Sequence, residues 1–225
     1  MLRQEHLPNG YALWVDESCA FGTDALLLAA FAQVKAGERV CDLGTGCGIL
    51  PLLWQGDKAP ARVDGVEREP RAAALACRSV EEAGVGDRVI IHRQSWDELT
   101  LPAGTYDRVV SNPPYFAPGS GKVSDDPARR LARHETADTL TGVVSAAARL
   151  LKEGGHFVLC HRPQRLTAVM AVLRAYRLEP KRLQFAQARP DKEPFLLLCD
   201  AVKGAGESLQ VLPPLLLQPQ KEWST

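Results

Sequence analysis

Asp42-Leu43-Gly44-Thr45-Gly46-Cys47-Gly48-Ile49-Leu50 sets the architecture of this chain. The apolar run Arg39–Leu43 before the glycines reads as a short strand, and Ile49–Trp54 after them as a helix. A glycine turn between a strand and a helix is where a doubly wound α/β sheet holds a cofactor. A dinucleotide fingerprint needs G-x-G-x-x-G. Its third glycine would fall at Ile49, and the spacing here is G-x-G-x-G instead. The turn therefore lets a ligand lie close to backbone without forming a pyrophosphate cradle. Glu67 follows at the end of the next strand, 19 residues past Gly48. A carboxylate only accepts hydrogen bonds and ribose hydroxyls can donate them, so Glu67 is placed to hold both hydroxyls of a ribose.

Working outward, strands and helices alternate. Tyr11, Leu13 and Val15 alternate as a short hairpin or strand, and Phe21–Phe31 reads as a helix that Thr23 or Asp24 can cap, stopping near Gly37. Arg62–Val66 is a strand, Arg71–Ala83 a helix closed by Gly84, and Arg88–His92 and Tyr106–Val110 are strands. Leu140–Leu151 is a helix closed by Gly154-Gly155. His156–Cys160 is a strand, Gln164–Tyr176 a helix, and Leu183–Ala186 and Phe195–Ala201 the last two strands. This alternation predicts an α/β fold: a doubly wound, seven-stranded, mostly parallel sheet. Only Arg189–Pro194 lies between the last two strands, too little for a parallel crossover, so they should pair antiparallel. Phe116–Glu135 is the one long irregular stretch, a length usually kept for function. The 225 residues suit a single domain, with a core at 16–204, an N-terminal extension at 1–15 and an extended tail at 205–225.

The balance of 27 Lys and Arg against 27 Asp and Glu excludes a simple polybasic nucleic-acid binder. The charge is nonetheless segregated. Residues 1–110 hold 11 basic and 16 acidic side chains, and residues 111–225 hold 16 and 11. That asymmetry suits an anionic partner for the second half, or a solvated surface. Six cysteines (Cys19, Cys41, Cys47, Cys77, Cys160 and Cys199) form no CxxC pair and mostly sit in apolar runs, so they read as thiols in a reducing compartment. The N-terminus reads as no signal peptide, and no apolar run approaches the ~18–20 residues of a membrane span. A cytoplasmic protein without a metal site is expected. The histidines form no HxxxH pattern, and nothing suggests a Ser-His-Asp constellation.

With Asp42 before the glycines and Glu67 after them, the chain resembles the class I S-adenosylmethionine-dependent methyltransferases over about Asp16 to Gly204. That family has D-x-G-x-G-x-G after its first strand, an acid ending its second and an antiparallel last strand. The resemblance implies S-adenosyl-L-methionine as cofactor, leaving as S-adenosyl-L-homocysteine. It implies cofactor contacts from Phe21, Thr23, Asp24, Asp42, Gly44, Thr45, Gly46, Gly48, Glu67, Ser95 and Asn112. Phe21–Asp24 resembles the segment that closes over the methionine end, whose ammonium and carboxylate would meet Asp42, backbone amides and the Thr23 hydroxyl. Where the family places an acid beside the adenine, this chain has Ser95, with Asp97 the only acid nearby.

Asn112-Pro113-Pro114-Tyr115 follows the fourth strand and resembles the catalytic motif of methyltransferases acting on a nitrogen conjugated to a π-system. Such a lone pair is delocalised and a poor nucleophile. Two acceptors on its N–H groups, Asn112 Oδ1 and the Pro113 carbonyl, favour a pyramidal nitrogen with the lone pair free. The two prolines stiffen that carbonyl, and Tyr115 can stack on the base. The most specific resemblance is to the bacterial tRNA1(Val) (adenine-37)-N6-methyltransferases. It is carried by Phe21–Asp24, Asp42–Gly48, Asn112–Tyr115, Ala128–Glu135 and the sheet-ending Phe195–Gly204. It implies a structured RNA, a tRNA, as substrate of a monomer or weak dimer. Lys122, Arg129, Arg130, Arg133 and His134 would reach phosphates beside the site, with Arg182, Arg189 and Lys192 extending the track. Protein-glutamine methyltransferases share the motif but usually carry a helical domain ahead of the glycine turn, for which the 38 residues before Arg39 are too few. Guanine-N2 rRNA enzymes often have Phe after the two prolines and a duplicated fold.

Overall fold

The computed structural model describes residues 1–17, 19–113 and 140–217. The chain opens with an antiparallel hairpin, β1 (Arg3–His6) and β2 (Ala12–Val15). Then follow α1 (Thr23–Ala32), β3 (Arg39–Leu43), α2 (Ile49–Leu53), β4 (Arg62–Val66), α3 (Pro70–Glu82), β5 (Val89–His92) and β6 (Tyr106–Ser111). A helix, α4, covers residues 140–150 and runs into β7 (Leu151–His161). After it come α5 (Leu166–Ala175), β8 (Leu178–Gln187) and β9 (Leu196–Lys203).

Seven long strands form one sheet in the order β8-β9-β7-β6-β3-β4-β5. From β7 to β5 all neighbours are parallel. β9 is antiparallel to both β7 and β8, as the short Arg189–Pro194 connection requires. Alternate strand residues face two cores. Val40, Val110, Val158, Cys160 and Leu198 pack with α1, α2 and α3, while Cys41, Val109, Phe157, Leu159 and Leu197 pack with α4 and α5. Burial on both faces is why these strands read as continuous apolar runs. The parallel strands all end at one edge, where the β3–α2 turn and the end of β6 lie side by side.

Three elements differ from the sequence reading. Gly154 and Gly155 do not close a helix; they form an irregularity within β7, which begins at Leu151 rather than at His156. Leu151 pairs with Tyr106, and the ladder resumes at His156 with Arg108. A Cβ on Gly155 would lie 2.9 Å from the Lys152 carbonyl and 3.1 Å from that of Tyr106. β8 is longer than Leu183–Ala186 because it pairs with β9 from Leu178 onward, past a register shift at Pro180. The segment after Gly206 adds two short strands parallel to β8, Gln210–Val211 and Leu215–Leu216. The N-terminal hairpin is fastened to α3: the Trp14 backbone N–H donates to Ser79 Oγ at 2.9 Å, and the Arg78 guanidinium lies 3.5 Å from the Trp14 ring centroid. No helix among the described residues is long and apolar enough to cross a membrane.

In the middle of β4, buried Asp64 ties three strands together. It accepts from Arg62, from the Tyr106 hydroxyl at 2.9 Å, and lies 2.8 Å from His92 Nε2. Burial alone would raise its carboxyl, but these bonds outweigh burial and hold it well below the usual range. Asp64→Ala leaves the Tyr106 hydroxyl without its acceptor and should cost about 3 kcal/mol. Urea unfolding checks this, and a loss under ~0.5 kcal/mol contradicts it.

Candidate active site

The glycine turn is pinned on both sides. The Gly44 and Thr45 N–H groups both donate to the Val66 carbonyl at 2.9 Å, anchoring the turn to the end of β4. Gly48 has φ +88° and forms the α2 N-cap; a Cβ there would lie 3.2 Å from Ala76 Cβ of α3. A left-handed backbone pressed against a helix accepts little but glycine.

Glu67 bonds the turn directly. Its Oε2 accepts from the Gly46 N–H and its Oε1 from the Glu69 N–H, each at 2.9 Å. Each carboxylate oxygen keeps lone-pair capacity for a hydroxyl donor. Glu69 in turn caps α3 by accepting from the Ala72 N–H, with Pro70 at the first helical position. Ser95 follows β5 one strand further over, where the Glu67 N–H donates to the His92 carbonyl. It begins the single turn Trp96–Glu98, which Arg68 meets over the Trp96 ring at 5.9 Å.

Between the turn and the start of α1 lies a cleft of about 220 Å³, whose wall includes Phe21, Asp24, Asp42, Thr45, Gly46 and Asn112. Six residues that the sequence marks from three separate segments thus share one cleft. Gly44 also lines it, whereas Thr23, Gly48, Glu67 and Ser95 do not reach its wall. Neither Thr23 nor Asp24 caps α1 as expected. The N-cap is Gly22 without a side-chain bond, and Asp24 Oδ1 accepts instead from the Ala25 N–H at 3.2 Å. The segment ahead of α1 is held by buried Asp16, which accepts from Arg71 Nε at 2.6 Å and from the Cys19 N–H at 3.0 Å. This bracket and the Cys19 wall position were missed in the sequence, where nothing links Asp16 to Arg71 in α3.

Asp42 stands out chemically. Its carboxylate is buried, and neither oxygen has a hydrogen-bond partner. Burial pushes its carboxyl up to about 7; the nearby Thr45 hydroxyl opposes the shift without reaching hydrogen-bonding geometry, and the Glu67 charge adds to it. The Thr45 hydroxyl is also buried without a partner. Such groups are costly when left unmet, so the site is built to receive a hydrogen-bond donor.

Asn112 leaves the end of β6 beside this wall, and Cys160 Sγ donates to its Oδ1 at 3.1 Å. Pro113 follows it. Pro114, Tyr115, Lys122, Arg129, Arg130, Arg133 and His134 lie outside the described residues. Arg182 corrects an expectation. It forms no part of an exposed track, because it pairs with buried Asp200 at 3.0 Å and donates to the Phe31 carbonyl at 2.8 Å. Arg189 and Lys192 do sit in the β8–β9 connection, at the same sheet edge as Asn112.

The model of the methyltransferase small domain family matches residues 13–177, a span running from β2 through the turn, Asn112 and α5. The chain belongs to the methyltransferase small domain family. The family's methyl donor, S-adenosylmethionine, is its cofactor, and the unmet Asp42 carboxylate, the Thr45 hydroxyl and the open turn fit a cofactor bearing an ammonium. Among relatives of this family member, proteins called tRNA1(Val) (adenine(37)-N6)-methyltransferase from Yersinia pestis (strain Pestoides F) and Yersinia pseudotuberculosis serotype I (strain IP32953) are each 37% identical over 145 residues, 63% of this chain. The match spans 58% and 57% of the length of those relatives. Among solved structures, a predicted O-methyltransferase from Agrobacterium tumefaciens superposes with a TM-score of 0.68 at 23% identity, covering 89% of this chain and 90% of that one. A P. horikoshii protein, TYW2 in complex with MeSAdo, superposes with a TM-score of 0.64 at 15% identity, covering 91% and 72%. At these identities the structures share the fold alone.

Proposed function

We propose that the protein methylates N6 of an adenine in tRNA, beside the anticodon. The observation that carries this is Asn112, the first residue of Asn-Pro-Pro-Tyr, opening from the end of β6 onto the same cleft as Asp42. When bound, the cofactor supplies an electrophilic methyl group. Asp42 and Thr45 would hold its amino-acid end, the backbone of Gly44–Gly46 would support it, and Glu67 would accept from its ribose hydroxyls. Asn112 Oδ1 and the Pro113 carbonyl accept from the two N–H groups of the target amine, which frees its lone pair for attack. The nitrogen sheds a proton after it becomes cationic, so no strong base is needed beforehand. Tyr115 stacks on the adenine.

The glutamine amide has the same electronic problem, so the motif alone also suits a protein-glutamine N5-methyltransferase. The relatives' name favours tRNA over that reading and over guanine-N2 of rRNA. Methyl transfer to bulk tRNA, ribosomes and a release factor, assayed separately, tests the choice. N6-methyladenine in tRNA alone is expected, and label in the release factor would overturn it.

Segregated charge supports the RNA reading. Besides Arg189 and Lys192, the same edge carries Arg162 and Arg165 just past β7. Half-buried His161 sits among them, its imidazole pushed down to about 4 by burial and by the Arg165 and Arg162 charges. The cluster Arg129, Arg130 and Arg133 follows the catalytic motif in sequence. Arg129→Ala/Arg130→Ala should weaken tRNA binding, spare cofactor binding and flatten the log–log salt slope by about two units. An unchanged slope in filter binding would make that cluster solvated surface only.

A further inference from the structure

We infer that Cys160 is a positioning residue for the acceptor amide of Asn112, its thiol fixing which end of that amide faces the cleft. The inference rests on the catalytic role proposed for Asn112.

The juxtaposition follows from sheet register. β6 and β7 are parallel, with Ser111 opposite Leu159. One residue further along each strand are Asn112 and Cys160. Side chains alternate, and Val110 and Val158 both face the α1–α3 core. Asn112 and Cys160 therefore share that face, the face of the cleft. Cys160 is buried, in the core that also holds Cys47, Ile49 and Leu50 of the glycine turn. Its Sγ lies 3.1 Å from Asn112 Oδ1.

An asparagine at a strand end can present either its carbonyl or its NH2 to a ligand. The chemistry tolerates only one, because the target amine donates and needs an acceptor. A carbonyl oxygen has two acceptor sites. The thiol donates to one, and the proposed chemistry calls on the other for the amine. A thiol is a weak donor, so it orients the oxygen while drawing off little of its electron density. A buried thiol also keeps water from that first acceptor site.

The test compares Cys160→Ala, which removes the donor, with Cys160→Ser, which restores one of similar size. Both are assayed against the wild type for methyl transfer to tRNA, cofactor binding and thermal unfolding. Cys160→Ala should lower kcat about tenfold, the scale of one modest hydrogen bond, with the KM for tRNA and the cofactor Kd nearly unchanged. Cys160→Ser should recover most of that loss. A normal kcat in Cys160→Ala overturns the inference. So do equal kcat losses in the two variants that track their thermal destabilisation, since those are packing effects. The wild type separates the two ideas: if it methylates no tRNA, the proposed function fails. Cys160 is then judged on the Asn112 side-chain amide resonances. These should be more ordered in the wild type and Cys160→Ser than in Cys160→Ala; equal order in all three overturns the positioning role.

Discussion

Asn112→Ala should lower kcat by about 10²–10³, a loss of about 3–4 kcal/mol of transition-state stabilisation, the scale of one preorganised hydrogen-bonding group. Cofactor affinity should stay near the wild-type value. The reason is where the side chain acts. Its oxygen meets the amine as the nitrogen turns pyramidal, and that interaction strengthens only on the way to the transition state. The amide also lines the cofactor cleft, but among the described residues the polar groups there that lack partners are Asp42 and Thr45, so truncating Asn112 leaves those partners for the cofactor in place. Asn112→Asp is the sharper comparison. It keeps an acceptor but removes the NH2 end and adds a charge beside Asp42 and Asp24, so it should bind cofactor with altered pH dependence and remain slow. Calorimetry and single-turnover kinetics separate the two effects. Near-normal turnover in Asn112→Ala would remove the basis for reading this chain as an N-methyltransferase of delocalised amines.

What the sequence disclosed and what it hid have distinct physical causes. The parallel strands were legible because two-sided burial leaves unbroken apolar runs such as Val40-Cys41 and Val109-Val110. The turn was legible because glycine spacing and the acids at positions 42 and 67 are local signals. Gly154-Gly155 misled because glycine marks both helix ends and strand irregularities. Only the partner strand's register, Tyr106 to Leu151 and then Arg108 to His156, tells them apart. The first half of β8 was hidden by polar Glu179, Lys181 and Arg182 and by Pro180, all carried next to the sheet's edge. Arg182 looked like surface because its partner Asp200 lies on another strand. Cys160 could not be found for the same reason: its meaning depends on which residue of β6 stands opposite.

Asp42→Asn should move stability and binding in opposite directions, and both changes should depend on pH. In the folded protein burial raises the Asp42 carboxyl to about 7. In the unfolded chain an aspartate titrates near ~3.9. Between those values the folded state holds a proton that the unfolded state has lost, so folding stability falls as pH rises, and the penalty is complete above pH 7. The gap corresponds to at most about 4 kcal/mol. Asparagine has nearly the same shape and no charge, so the empty variant should melt close to the wild type at pH 4 and well above it at pH 8. Binding should show the reverse. The cofactor's ammonium needs the ionised carboxylate, so below pH 7 wild-type affinity should fall by up to about tenfold per pH unit, with a proton released on binding. The asparagine variant should bind weakly, without that slope and without proton release. Titrations in buffers of different ionisation enthalpy read the proton directly. Identical pH profiles for the two proteins would mean that Asp42 is not the group that meets the cofactor's cation, and the burden would pass to Asp24, the other acid among the described residues of the cleft wall.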